Sequence, residues 1–302
     1  MRLVTYRLRE AEARLGVLSD GLVIDAAWLG AAAGLEIPAT MLGLIDAGPM
    51  ALELLRELVE NSNPRALATA SVPESSVTLL APIPRPRKNI FGIGLNYTEH
   101  VAESARALDT ANELPQEPVI FSKPPSSVVS ATDPIPHDET VTKQMDWETE
   151  LAVVIGRGAR RVAAEDALDY VFGYTIINDI SARDCRRAGQ WIVSKGQPGF
   201  APMGPCIVTA DEIPDPQNLN LSTKVNGVEK QNANTRLMLF PVAQLIADLS
   251  RVLGLDPGDI IATGTPAGVG AGRNPQEWMW PGDVVESSIE MIGAMRNPIV
   301  RA

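Results

Sequence analysis

The chain is short of the residues that mark several common chemistries. Only two histidines, His100 and His137, occur in 302 residues, which excludes His-rich metal sites such as HExxH. Two cysteines, Cys185 and Cys206, are too few for a disulfide framework, and neither is assigned a functional role. Any resident metal must therefore be held mainly by oxygen. No apolar run approaches the roughly 18 residues of a membrane span, and the N-terminal MRLVTYRLREAEARLG has no apolar stretch behind its basic residues. The expectation is a cytoplasmic protein without a membrane partner. Basic residues are scarce as well: 26 Lys and Arg against 37 Asp and Glu give a net charge of -11. That balance argues against nucleic acid, whose phosphates need a basic surface. The small basic clusters, Arg85 with Arg87 and Lys88, Arg160 with Arg161, and Arg186 with Arg187, read as solvated surface.

What is present divides into two stretches. Residues 1–82 look like a small N-terminal α+β unit. ARLGVLSDGLVIDAA alternates apolar and polar residues around Ser-Asp-Gly, a hairpin signature. Leu52, Leu55 and Leu58 then recur at helical spacing before a stop at residues 61–64. The proline-rich APIPRPRKN cannot sit inside a helix or central strand, so the boundary is placed there and residues 83–302 form the second unit. That unit is a series of short apolar strands broken by Pro, Gly, Asn and Asp, with helices expected chiefly at 98–108, 163–168 and 241–253. Strands dominate without regular alternation with helices, which favours a β-rich α+β fold over a doubly wound sheet.

Three constellations carry potential chemistry. In DWETELAVVIG the run LAVVI reads as a buried strand. Its period of two points Glu148 and Glu150 to one face and Thr149 to the other. Two like charges there need a compensating cation: Arg183, Lys143, solvent or a metal ion. A second apolar strand, VFGYTIINDIS, ends at Asp179. If it delivers Asp179 beside the two glutamates, the three carboxylates make an oxygen-rich site suited to Mg²⁺ or Mn²⁺. In GIGLNYTEHVAES a helix begins near Asn96 or Thr98, either of which is able to cap it. His100 and Glu103 share a face of that helix, as a carboxylate-oriented general base requires. The glycines do not make a dinucleotide motif, because Tyr97 stands where a third Gly is needed. In DIIATGTPAGVGAG a strand runs into a glycine-rich loop whose amides are free to approach an anion, with Thr265 adding a hydroxyl. The loop lacks the Gly-Lys-Ser/Thr of a P-loop.

Taken together these motifs resemble the fumarylacetoacetate hydrolase family, over most of the chain and most closely from Asn89 onward. The matching residues are Gly94, Asn96, Tyr97, His100 and Glu103; F-x-K-P at 121–124; D-W-E-x-E-L-A-V-V-I-G at 146–156; N-D-x-S-A-R-D at 178–184; and G-T-P-x-G-V-G at 264–270. The resemblance implies a mixed β-sandwich roll as the catalytic fold. It implies Mg²⁺, Mn²⁺ or sometimes Ca²⁺ on Glu148, Glu150 and Asp179, and no organic cofactor. It further implies a His100–Glu103 dyad, Lys195 beside the substrate, substrate contacts from Arg183, Thr265, Gly264 and Tyr97, and a homodimer. No acid lies between Lys88 and Glu99, where the fumarylacetoacetate hydrolases themselves have a further Asp ligand. The chain therefore resembles the acylpyruvase, fumarylpyruvate hydrolase and 2-hydroxyhepta-2,4-diene-1,7-dioate isomerase-like branch. Glu277 is a weaker rival to Glu103 as the partner of His100.

The expected substrate is a small oxo acid that chelates the ion through neighbouring oxygens. The favoured reading is hydrolysis of a C–C bond in an acylpyruvate-like 1,3-dioxo compound, with His100 and Glu103 activating water and Lys195 stabilising the enolate. The alternative is decarboxylation, tautomerisation or isomerisation of oxaloacetate-like or 2-hydroxy-dienoate acids at the same site. A non-catalytic binding or structural role predicts no response to divalent metal. Residues 103–116 are expected to form a lid that governs specificity.

Overall fold

The run LAVVI belongs to the strand Thr149–Ile155, in which every residue is buried. Its two faces serve different cores. Leu151, Val153 and Ile155 pack with Tyr174, Ile176, Ile261 and the helix residues Leu245, Ile246 and Leu249. Ala152 and Val154 pack with Ile177, Ile207 and the N-terminal residues Leu29, Leu44 and Leu55. A strand covered on both sides has no polar face to alternate, which is why it reads as a continuous apolar run. At ~1.5–3 kcal/mol per large side chain buried, this doubly covered strand is strongly fixed.

The computed structural model describes residues 1–107, 113–187 and 189–302. Among these residues a twelve-stranded mixed sheet forms the centre. Thr149–Ile155 lies between Val171–Asn178 and Ile260–Ala262; beyond the latter come Ile90–Gly94 and Val119–Lys123. On the other side Val171–Asn178 pairs with Ala201–Thr209, and Arg2–Arg7 joins that strand through Arg2↔Val208 and Leu3↔Ile207. The N-terminal strands therefore extend the same sheet, and residues 81–89 carry neither helix nor strand. A five-stranded sheet, whose inner members are Asn220–Val225, Val284–Ile289 and Gly293–Arg301, lies against it through Leu221, Ile289 and Met295. The two packed sheets make the β-rich α+β sandwich expected from the motifs.

The expected hairpin is Arg14–Ser19 with Leu22–Asp25, turning at Asp20 and Gly21. The expected helices differ in detail. Residues 163–168 give a 3-10 helix, Ala164–Tyr170, and the C-terminal helix is Val242–Val252. The helix bearing His100 is Thr98–Ala107; Leu108 and the rest of 108–112, the centre of the expected lid, lie outside the described residues. Asn96 does not cap that helix. Its amide donates to the carbonyls of Phe240 and Thr263 and its oxygen accepts from the Phe240 N–H, so it pins the helix entrance to the loop after Ile260–Ala262.

Candidate functional site

The carboxylates meet because two antiparallel strands end together. Thr149 pairs with Asn178, and the Asp179 N–H donates to the Glu148 carbonyl at 2.8 Å, which places the Asp179 side chain beside Glu148 and Glu150. Thr149 points the other way, where its hydroxyl meets Thr223 and Ser287. Carboxylate oxygens of Glu148, Glu150 and Asp179 all lie within 4.8 Å of one another, and all three residues are buried.

Their surroundings are not equivalent. Glu148 receives the Arg183 guanidinium at 2.6 Å and the Lys195 ammonium at 2.6 Å. Asp179 is held by Lys195 and by Lys123, whose side chain is completely buried. Burial alone would raise the Glu148 carboxyl, but the charges of Lys195 and Arg183 outweigh it and hold the group below the ordinary carboxylate range. Lys195 is affected in reverse: burial would lower its pKa, and Asp179 and Glu148 raise it. Burial depresses Lys123 despite its contact with Asp179. Glu150 has a hydrogen bond from the Gly264 N–H at 2.9 Å and no cation within ion-pair distance among the described residues. Burial, then the negative charges of Asp179 and Glu148, push its carboxyl well above the usual range.

This imbalance fits a dication. Four buried carboxylates, Asp146, Glu148, Glu150 and Asp179, meet three buried cations, Lys123, Arg183 and Lys195, so the carboxylates outnumber the cations by one, and Glu150, the one without a cation, is the group driven toward its protonated form. An all-oxygen donor set with one unpaired carboxylate suits Mg²⁺ or Mn²⁺. Glu148, Glu150 and Asp179 would hold it.

His100 and Glu103 are both buried, with the His100 Nδ1 3.2 Å from Glu103 Oε2. Glu277 does not compete, since its carboxylate pairs with Lys230 and approaches Arg273. The glycine-rich loop holds the dyad's acid in place. The Gly268 N–H donates to Glu103 at 3.1 Å, and a Cβ on Gly272 would meet Glu103 Cδ at 2.0 Å. Gly272→Ala therefore displaces Glu103. We expect kcat to fall by about 10²-fold with the metal-induced rise in melting temperature unchanged, read from steady-state kinetics and thermal melts in parallel. An equal loss of both would mean that the loop supports the carboxylate cluster rather than the dyad.

A cavity with about 30 Å³ of free space, room for about one water, joins these groups and is lined by His100, Glu148, Arg183, Lys195, Thr265 and Arg186 among others. A fumarylacetoacetate (FAA) hydrolase C-terminal profile matches residues 89–300. The mitochondrial oxaloacetate tautomerase of Xenopus laevis is 40% identical over 99% of this chain and 90% of its own. The chain belongs to the fumarylacetoacetate hydrolase family. Oxaloacetate tautomerase YisK of Bacillus subtilis is 44% identical over 74% of each chain. Among solved structures, maleylpyruvate hydrolase from Sphingobium sp. SYK-6, in complex with manganese(II) and pyruvate, matches with a TM-score of 0.79 and 32% identity over the whole of both chains.

Against the expectations for a member of this family, the structure brings together Glu148, Glu150, Asp179, His100, Glu103, Lys195, Arg183 and Thr265, and sets others apart. Tyr97 does not line the cavity: it is 2% exposed and packed with Met238 and Ile93, and its buried hydroxyl, which feels the charge of Glu150, has no hydrogen-bond partner among the described residues. Gly264 and its loop point their amides at the protein's own carboxylates: Gly264 to Glu150, Gly268 to Glu103, and Gly270 and Ala271 to Asp146. Thr265 reaches the cavity, but its hydroxyl already donates to the Thr149 carbonyl and accepts from Gln231. Arg186, read from the sequence as solvated surface, is a half-buried wall of the cavity.

Two residues of the charged cluster stand in motifs quoted from the sequence but were assigned no role there. Lys123 sits in F-x-K-P and pairs with Asp179. Asp146 opens D-W-E-x-E and collects the N–H groups of Trp147, Gly270 and Ala271 together with the Arg183 guanidinium. It thereby ties the glycine loop to Arg183.

Proposed function

We propose that the protein is a divalent-metal-dependent tautomerase of short 2-oxo dicarboxylic acids of the oxaloacetate type. The observation that carries this reading is the concentration of buried charge around one cavity, which His100, Glu148, Arg183 and Lys195 line together. Charged walls of both signs suit a multiply charged acid. The oxaloacetate tautomerases of Xenopus laevis and Bacillus subtilis, to which the chain is similar, support the same choice.

Magnesium or manganese on Glu148, Glu150 and Asp179 would supply Lewis-acid polarisation of the substrate's oxo and carboxylate oxygens. The chain's own residues do the rest. Glu103 holds the Nδ1 side of His100, which leaves Nε2, 3.5 Å from the Ser104 hydroxyl, to act as base. His100 takes the enol O–H proton and returns a proton to the adjacent carbon. One O–H bond is broken, one C–H bond is formed, and nothing is oxidised or hydrolysed. Lys195 shares Glu148 and Asp179 with any dication bound there, so its ammonium becomes available to the developing enolate oxygen. Buried walls exclude bulk water and strengthen each of these interactions.

C–C hydrolysis of an acylpyruvate is the second reading, favoured by the room for about one water beside His100 and by the maleylpyruvate hydrolase likeness. The two are separated by offering the purified protein, with Mg²⁺ or Mn²⁺, enol-oxaloacetate and acetylpyruvate in parallel. The tautomerase reading expects rapid loss of enol absorbance and no release of acetate and pyruvate. Efficient cleavage of acetylpyruvate with no acceleration of ketonisation overturns it.

A further inference from the structure

The cations on the metal side of the cavity are already committed. Arg183 is paired with Asp146 and Glu148, and Lys195 with Glu148 and Asp179. Arg186 is different: it lines the same cavity, and among the described residues no carboxylate stands within ion-pair distance of it. Its guanidinium lies 4.7 Å over the Trp191 ring. Trp191 in turn packs at 5.2 Å on Phe121, and the Lys195 ammonium stands 4.9 Å from the Phe121 ring. Two aromatic rings therefore form a shelf with Lys195 at one end and Arg186 at the other. Gly94 makes room for that shelf, because a Cβ there would meet the Trp191 ring at 2.6 Å.

We propose that Arg186, held over the Trp191 ring, reads the distal carboxylate of a dicarboxylic oxo acid whose oxo-acid end sits at Glu148, Glu150 and Asp179. This deepens the oxo-acid reading and rests on it. Two considerations support the assignment. A guanidinium offers a planar fork of donors matched to a carboxylate, and packing over the indole ring holds the side chain in place before the ligand arrives. Burial and the nearby Arg183 charge both disfavour the charged Arg186, so an arriving anion relieves a strained charge rather than competing with an existing partner.

The test uses an unreactive matched pair, malate and 2-hydroxybutyrate, which differ in the distal carboxylate. Binding to the full-length protein in Mn²⁺ is followed by calorimetry. Wild type is expected to bind malate about 10- to 100-fold more tightly, as expected for one charge-assisted pair. Arg186→Gln should remove that preference and change 2-hydroxybutyrate affinity less than twofold, and Arg186→Lys should restore part of it. A malate preference that persists in Arg186→Gln, or an equal loss for both ligands, overturns the assignment. If wild type binds neither ligand, the oxo-acid reading falls with it.

Discussion

Replacing His100 by alanine lowers turnover by about 10²–10⁴-fold and leaves the metal-induced rise in melting temperature in place. The separation follows from where the residue sits. His100 contacts Glu103 and Ser104 on its own helix, and neither belongs to the carboxylate cluster. Loss of the imidazole removes the base without removing an oxygen ligand. Some stability is lost because the side chain is buried, so the informative quantity is the difference between melts in Mn²⁺ and in EDTA, measured on each variant. A His100→Ala protein that keeps wild-type turnover would remove the dyad from the mechanism. One that loses the metal response along with turnover would place His100 in the metal site.

The second large effect is a contrast of sign between two neighbouring glutamates. Glu150→Gln abolishes the metal-induced rise in melting temperature, and without metal it is more stable than wild type. Glu150 is the buried carboxylate without a cation, and glutamine is an uncharged isostere that relieves the repulsion from Asp179 and Glu148. Glu148→Gln also weakens metal binding but destabilises the metal-free protein, by about 3–5 kcal/mol, because it leaves Lys195 and Arg183 short of their buried partner. In wild type, a dication at 100 times its Kd stabilises by about 2.7 kcal/mol. Chemical denaturation of the three proteins in EDTA and in Mg²⁺ reads all of these quantities. If both variants shift in the same direction without metal, Glu150 is not the carboxyl that the buried cluster strains.

Much of this site was legible because β-strands carry a strict period. The parity of Glu148 and Glu150 against Thr149 needed only the recognition of LAVVI as a strand, and Asp179 needed only a second strand ending in polar residues. His100 and Glu103 were legible for the equivalent reason on a helix. Residues whose role depends on distant partners were not. The Gly264 and Thr265 loop looked like a substrate-binding turn, yet its amides and hydroxyl are committed to Glu150, Glu103, Asp146 and Thr149, residues more than 100 positions earlier. Arg186 resembled any exposed arginine in a polar loop until the fold laid Trp191 beneath it. The same limit applies to the fold: the N-terminal hairpin was readable locally, but the strand Arg2–Arg7 and its attachment through Leu3 and Ile207 were not.

The central claim is that Glu148, Glu150 and Asp179 hold a divalent ion that an oxo acid joins. Its most direct test is anomalous diffraction from crystals grown with millimolar Mn²⁺ and oxalate. The account predicts a manganese peak bounded by those three carboxylates, with oxalate bound on the cavity side next to His100 and Lys195. A carboxylate cluster that binds no manganese under those conditions, with Lys195 still bridging Glu148 and Asp179, would contradict it.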